Sequence, residues 1–254
     1  MDTKRKVAIA AGVLAAAFPV AASGGNGSTL GACPEIPLPQ GSEPVSLDPA
    51  NFTTEIDNLY WPMKPGSRWV YRETTPQGSR ARVVVKVTTK TKLIANGIRA
   101  RVVSDVVSED GKPVEVTQDW YAQDCAGNIW YLGEKTAEYE NGKVVSREGS
   151  WEAGVDGAQP GIALPARPQV GMTYRQEYYA GQAEDGGTVL SVDELVEVPF
   201  GEFRDVLMTK DFTPLEPHLL EHKFYAKGVG PVLALTIAGG SDREELLEYT
   251  EGAG

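Results

Sequence analysis

The residues of this chain that could do metal or acid–base chemistry begin with its two histidines, His218 and His222, in the segment EPHLLEH. The order H-x-x-E-H supplies the ligands and general base of one class of zinc peptidases. Two histidines four positions apart can share a zinc ion on a helix, where one turn brings them to the same face. On a strand the same spacing separates them by about 13 Å. The segment LEHKFYA reads as a strand, so we predict no metal site and place His218 in a surface loop.

His222 remains a candidate for proton transfer by itself. Strand alternation puts it on one face with Leu220, Phe224 and Ala226, and puts Glu221, Lys223 and Tyr225 on the other face. One interpretation is a packed or pocket-wall histidine. The other is a general acid or base at the mouth of a barrel, because the pKa of imidazole lies near neutral pH.

Acidic and aromatic residues alternate along two further predicted strands. In QDWYAQD, Asp119, Tyr121 and Gln123 share a face; in YRQEYY, Glu177 lies opposite Tyr178. Two semi-polar faces are typical of a barrel that encloses a ligand. We therefore predict catalytic roles for His222, Asp119 and Glu177, and ligand contacts for Tyr121, Trp130, Trp151 and Tyr178. The tryptophans could equally serve core and cross-strand packing.

Paired carboxylates, such as Asp119 with Glu177 or Glu148 with Glu152, could serve glycoside hydrolysis, which needs two carboxyl groups at about 5–10 Å. The chain has 35 acidic residues, so a fitting pair by itself has little weight. The sequence contains no G-x-S-x-G nucleophile motif, no P-loop and no dinucleotide fingerprint. We predict no cofactor.

The first 22 residues have the form of a secretory signal peptide. Lys4, Arg5 and Lys6 precede an apolar run from Val7 to Val20, and small residues follow it. That run is shorter than the ~20 residues that cross a bilayer, so we predict no transmembrane segment and a secreted or periplasmic protein. The formal charge of −11 argues against nucleic acid or an anionic membrane as partner. It leaves a small molecule or saccharide open.

The two cysteines permit two interpretations. LGAC, ending at Cys33, resembles a lipobox in which Cys33 would be acylated, although the stretch SGGNGST separates it from the apolar run. Alternatively, Cys33 and Cys125 form one disulfide in an oxidising compartment.

The rest of the chain predicts an all-β protein. Residues 23–50 are rich in Gly, Ser and Pro and predict a flexible linker. Residues 51–254 predict a single β domain, with two halves joined by the proline-containing loop 152–171. Short strands alternate with turns such as Asn96-Gly97 and Asn141-Gly142, the pattern of an antiparallel meander. About twelve strands would close into a lipocalin-like barrel or form a strongly curled sheet or sandwich.

Several stretches resemble a family of secreted bacterial β-rich proteins of unassigned function. They include DNLYWPMKPGSRWVY, the D-W-Y-A-Q-D…G-N-x-W-Y-x-G-E motif and the E-H-K-x-Y-A-x-G-V-G motif, between about residues 50 and 240. The resemblance implies a secreted β domain and no known activity. This chain departs from the family pattern at Cys125 and Ala126, where an acidic turn is expected, which weakens the idea of a calcium loop. It departs again at His218, where a small residue is expected, so the resemblance implies that His222 is the family histidine.

Two functions fit these features. The first is a secreted or periplasmic barrel that binds a small apolar, aromatic or saccharide ligand in an aromatic-lined pocket. The second is an extracellular acid–base enzyme, of the glycoside hydrolase or lyase type, that uses His222 and nearby carboxylates. Convergence of His222, Asp119, Tyr121 and Glu177 on one cavity would indicate a site of either kind.

Overall fold

The computed structural model describes Cys33, residues 36–75, Gly78 and residues 80–254. The predicted signal peptide, residues 1–22, lies outside the described residues. A short 3-10 helix, Pro49–Asn51, precedes the strands. The strands are β1 (Phe52–Thr53), β2 (Arg68–Thr74), β3 (Arg80–Leu93), β4 (Arg99–Glu109), β5 (Lys112–Asp124), β6 (Ile129–Glu140), β7 (Lys143–Ser146), β8 (Trp151–Glu152), β9 (Gln159–Leu164), β10 (Thr173–Arg175), β11 (Glu177–Tyr178), β12 (Gly186–Val198), β13 (Gly201–Phe212), β14 (Leu220–Ala226), β15 (Gly230–Ala238) and β16 (Arg243–Thr250).

These strands form one antiparallel sheet that is nearly closed into a barrel. The spatial order is β10-β12-β13-β14-β15-β16-β2-β3-β4-β5-β6-β9-β11. The short strands β1, β7 and β8 pair with β5 or β6 outside this path. Most neighbours are consecutive in sequence, as in a meander, and β16 pairs with β2 to join the two ends of the domain. The prediction of an all-β antiparallel barrel is confirmed.

One short segment, residues 173–178, brings the two ends of this path together. Its first half, β10, pairs with β12, and its second half, β11, pairs with β9. Gln176 lies between the two halves, and its backbone N–H donates to the carbonyl oxygen of Asp185 at 2.7 Å. β9 approaches this segment so closely that a Cβ on Gly161 would lie 2.4 Å from the carbonyl carbon of Gln176. The barrel closes here because glycine lets two backbones touch.

The strands form where β-branched and aromatic residues cluster, and they end at turns with positive φ. β3 carries the run Val83-Val84-Val85, in which Val83 is buried within the core. Asn141 and Gly142 have φ of 52° and 75° between β6 and β7, the left-handed backbone of a tight hairpin turn. The turn residues that the sequence pointed to therefore connect neighbouring strands of the sheet.

The segment that the sequence assigns to a flexible linker makes defined contacts over residues 36–47. Ile36, Leu38, Val45 and Leu47 pack against the core of the barrel. Arg175 links the segment to β9, because its guanidinium donates to the carbonyl oxygens of Gly41 and Glu43 in the segment and of Pro160 in β9.

A disulfide fixes the start of this segment to the turn between β5 and β6. Cys33 and Cys125 are bonded, with their Cα atoms 5.6 Å apart. Of the two interpretations of the cysteines, the structure has the disulfide, so the thiol of Cys33 is not available for acylation. Such a bond is typical of proteins outside the reducing cytoplasm. Among the described residues, no helix has both the length and the apolar character needed to cross a bilayer.

Candidate functional site

A cavity of about 360 Å³ lies inside the barrel. This volume is within the range of small-molecule sites in proteins. Six of its lining residues are aromatic, and six are acidic. The aromatic residues are Trp61, Trp69, Tyr71, Tyr121, Tyr131 and Tyr225; the acidic residues are Asp105, Asp119, Glu134, Glu177, Asp185 and Glu244.

A bulge between β5 and β6 places two side chains of β6 in the cavity. Asp119 pairs with Glu134 and Tyr121 pairs with Tyr131, so two residues of β6 lie opposite one residue of β5. Gly133, within the bulge, has φ of 126°. The extra residue shifts the alternation of the strand, so Tyr131 and Glu134, three positions apart, both face inward.

The hydroxyl of Tyr131 lies between two carboxyl groups. It is 2.9 Å from Oδ1 of Asp119 and 3.0 Å from Oε2 of Glu134. A phenol has one proton to donate, so the second contact is a hydrogen bond only if one carboxyl group is protonated and donates to the phenol oxygen. The geometry therefore favours one shared proton on the Asp119–Glu134 pair.

The electrostatics of this pair agree with a shared proton. Burial raises the pKa of Asp119 to about 7, against the effect of the Tyr131 hydrogen bond. Burial, together with the charge of Asp119, raises the pKa of Glu134 to about 8. Burial of the Tyr131 hydroxyl raises its own pKa well above the usual range, so it remains a neutral donor. The pair can thus hold or release a proton near neutral pH.

A second pair of carboxyl groups lies at the closure of the barrel. Burial raises the pKa of Glu177 well above its usual range, and the neighbouring carboxyl of Asp185, with which it shares a hydrogen bond, adds to the rise. The indole N–H of Trp151, which has no hydrogen bond of ordinary geometry, is directed at Glu177 and opposes this rise. Two carboxyl groups in contact cannot both be ionised without a large repulsion, so this pair also retains a proton.

The two remaining acids of the cavity come from β4 and β16. Burial raises the pKa of Asp105 well above its usual range, and the charges of Asp119 and Glu244 contribute. Oδ1 of Asp105 is buried and has no hydrogen-bond partner among the described residues. Burial raises the pKa of Glu244 to about 7, with a contribution from Glu73 across the strand pair.

Lys223 is the single basic side chain among the described residues that line this cavity. Its ammonium group forms an ion pair with Asp211 at 3.1 Å, and Glu221 lies at 3.9 Å. Burial alone would lower the pKa of Lys223, but the charges of Asp211 and Glu221 raise it well above its usual range. This cation is therefore already neutralised by residues outside the acidic set.

Three of the seven predicted site residues line the cavity. Asp119 and Tyr121 face it from β5, as their predicted common face requires, and Glu177 faces it from β11.

His222 does not line the cavity. It lies on β14 between Glu221 and Lys223, and Lys223 and Tyr225 are the residues of this strand that face inward. Its ring lies 6.5 Å from that of Phe224. Burial lowers the pKa of His222. Its predicted position at the barrel mouth is corrected by the structure, because the strand presents its other face to the interior. His218 lies exposed in the turn before β14.

The other three predicted ligand contacts also lie elsewhere. Trp130 is fully buried, and its indole N–H donates to Oδ2 of Asp124 at 2.9 Å, so it packs the end of the barrel. Trp151 packs edge-on against Tyr131 at 5.4 Å and lines a groove on the outer surface with Trp120. Tyr178 is half-buried and pairs with Gln159 of β9.

The sequence did not single out Tyr131, Glu134, Asp105 or Glu244. One signal for Glu134 was available, because Gly133 interrupts the strand IWYLGE, and an isolated glycine in a strand indicates a bulge. No local signal distinguishes Asp105 or Glu244 from the other acidic residues of the chain.

No cluster of three or more His, Cys, Asp or Glu side chains within the described ranges is arranged to hold a metal ion. The fold and the site together define the class of protein: a β-barrel with an acidic, aromatic-lined interior cavity.

Comparison with known proteins finds similarity at low identity to solved structures. No family model and no curated protein matches the chain. A crystal structure of a lipoprotein candidate from Parabacteroides distasonis aligns with 76% of this chain and 99% of its own, at 11% identity and a TM-score of 0.43. A β-barrel-like protein of the domain of unknown function DUF1849 from Brucella abortus aligns with 75% of this chain and 98% of its own, at 16% identity and a TM-score of 0.38.

Proposed function

We propose that this chain is a secreted or periplasmic binding protein that holds a small molecule in the interior cavity of its barrel. The cavity itself carries this proposal: it is large enough for a small ligand and combines aromatic walls with a few polar groups at fixed positions. Trp61 stands between Tyr121 and Tyr225, with ring centroids 5.4 Å and 5.9 Å away. These rings offer an apolar surface to a ligand, while the tyrosine hydroxyls and carboxyl groups offer hydrogen bonds.

Filling the cavity is expected to abolish ligand retention. Ala234 lines the cavity from β15, so Ala234→Phe places a phenyl ring in the space that the ligand would occupy. Protein purified from its native host is examined by native mass spectrometry. We expect a bound small molecule on the wild-type protein and none on Ala234→Phe.

Ile237→Phe, at an exposed position of the same strand, is the matched control and should retain the molecule. Equal retention by both variants, or wild-type protein that carries nothing and binds nothing from a host metabolite extract, would contradict the binding function.

A second function, acid–base catalysis, is favoured by the Asp119–Glu134 pair. One protonated and one ionised carboxyl group, held near pH 7, are what an acid–base enzyme needs. In this form of the hypothesis Glu134 has the acid–base role that the sequence analysis gave to His222. Glu177 and Asp185 form a second pair of carboxyl groups.

If the protein is an acid–base enzyme, its turnover should depend on the carboxyl groups of Asp119 and Glu134 and not on His222. On a panel of chromogenic glycosides, Asp119→Asn and Glu134→Gln should each lower kcat at least a hundredfold, while His222→Ala leaves kcat within about threefold. The pH profile of kcat/KM should report the two apparent pKa values of the pair. A His222→Ala variant that loses turnover at unchanged stability would contradict this assignment.

A further inference from the structure

We propose that the cavity is built for a small organic ammonium ion, a protonated or quaternary amine with an apolar body. This inference rests on the proposed binding function and names the chemical class of its ligand. It depends on three properties of the cavity: an uncompensated set of acids, a buried carboxyl oxygen without a partner, and an aromatic cluster.

Five of the six acids of the cavity have no cation within ion-pair distance among the described residues. Asp105, Asp119, Glu134, Glu177 and Glu244 form no ion pair with the basic side chains of the described residues. Lys223 is committed to Asp211. Without a nearby cation, these acids can be buried only if they stay protonated. A positively charged ligand that binds beside them would displace those protons.

The buried oxygen Oδ1 of Asp105 is a separate observation. Buried polar atoms in folded proteins almost always have a partner, and an orphan acceptor costs stability. Asp105 lines the cavity, and no donor from the described residues reaches this atom. A protonated amine, which brings N–H donors, would satisfy it, whereas a quaternary amine would not.

The aromatic cluster determines the kind of cation. The rings of Tyr121 and Tyr225 lie 5.4 Å and 5.9 Å from that of Trp61, and all three line the cavity. Aromatic faces attract an organic ammonium group by cation–π interaction and cover its apolar body. A hydrated metal ion would gain little from such walls. The net charge of the chain, −11, also favours approach of cations over anions.

Charged and titratable side chains from several strands surround Asp119. They are Asp105 on β4, Glu115 on its own strand, Tyr131 and Glu134 on β6, Glu177 on β11, Asp185 before β12, Lys223 on β14 and Glu244 on β16. All but Lys223 and Tyr131 are acids, so an entering cation favours their ionised forms. Binding of a cation should therefore release protons and strengthen as pH rises.

Isothermal titration calorimetry tests the inference with a matched set of probes. The probes are 2-phenylethylamine, its neutral counterpart 2-phenylethanol, the anion phenylacetate, and tetramethylammonium as a cation of different shape. We expect the affinity for 2-phenylethylamine to rise by up to tenfold per pH unit between pH 5.5 and 7.5, the slope for one displaced proton. Buffers of different ionisation enthalpy should show proton release, and the alcohol should bind more weakly without dependence on pH.

Two double variants test whether the pH-dependent binding comes from the acids of the cavity. Asp119→Asn with Glu134→Gln keeps the shapes of both side chains and should weaken 2-phenylethylamine binding at least tenfold at pH 7.5, with less proton release. Glu109→Gln with Glu197→Gln removes two exposed acids and is the control matched in the number of carboxyl groups replaced.

The outcomes separate this inference from the function on which it rests. Binding of the alcohol as tightly as the amine at every pH would overturn the ammonium inference but leave a ligand-binding cavity. Failure of both cations to bind at pH 8.5 would also overturn it, whatever native mass spectrometry finds in the cavity.

Discussion

Raising the pH from about 5 to about 9 should lower the free energy of unfolding of the ligand-free protein by about 2.5–3 kcal/mol. One carboxyl group whose pKa rises from 3.8 to about 7 on folding, as for Asp119, loses about 4 kcal/mol in total at about 1.36 kcal/mol per pKa unit, and about 1.5 kcal/mol of this is already lost at pH 5. Glu134 and Glu244 act in the same direction. We keep the expectation to a single group because these acids are coupled and share protons.

The sign follows from which state binds the proton more tightly. In the unfolded chain these carboxyl groups ionise near pH 4, whereas in the folded barrel they stay protonated up to about pH 7 to 8. Their stabilising contribution is therefore complete below about pH 4. It is lost progressively as pH rises to about 8 and changes little above that.

Urea denaturation at fixed ionic strength, from pH 5 to pH 9, measures this loss. In the Asp119→Asn, Glu134→Gln variant the amides mimic the protonated acids, so the slope with pH should be markedly smaller and the variant more stable than the wild type at pH 8. Glu109→Gln with Glu197→Gln should retain the wild-type slope. If the free energy of unfolding of the wild type is constant or rises between pH 6 and 8, ionisation of these acids does not destabilise the fold, and the prediction is wrong.

Replacing both cysteines, Cys33→Ala with Cys125→Ala, should lower the free energy of unfolding by about 2–4 kcal/mol. The disulfide spans 92 residues, and a cross-link over a long loop removes much of the conformational entropy of the unfolded chain. In the folded state it fixes the start of a segment that packs on the barrel through Leu38 and Val45 and is bound by Arg175. Urea denaturation with and without reductant measures the loss.

Two controls sharpen this result. Wild-type protein under reductant should match the double variant, and reductant should leave the double variant unchanged. Arg175→Met should expose the segment of residues 36–47 to limited proteolysis with the disulfide intact, because the two guanidinium contacts to its carbonyl oxygens are lost. A loss below about 0.5 kcal/mol in the double variant would mean that packing alone holds the segment.

The architecture could be predicted from sequence because its signals are local. Turns such as Asn141-Gly142 need a left-handed backbone that few other residue pairs allow, and runs such as Val83-Val84-Val85 favour strands. These signals repeat along the chain, so they define an antiparallel meander without knowledge of its closure. The pairing of Cys33 with Cys125 needed only a count of two cysteines.

The site was only half predictable, for two physical reasons. The alternation of side chains along a strand shows which residues share a face but not which face points into the barrel. For this reason His222 was expected at the cavity, whereas its neighbour Lys223 lines it. A bulge changes alternation within a strand, and this brings Glu134 to Tyr131 and Asp119.

The sequence by itself therefore determined an all-β barrel, its turns and the common face of Asp119 and Tyr121. Only the tertiary structure decided which acids meet. Asp105 reaches Asp119 through the β4–β5 hairpin, whereas Glu244, near the end of the chain, joins them only when β16 pairs with β2 and the sheet curls into a barrel. Glu177 and Asp185 meet where residues 173–178 join β9 to β12. The raised pKa values belong to that enclosure, because burial and mutual repulsion act only after distant strands have come together.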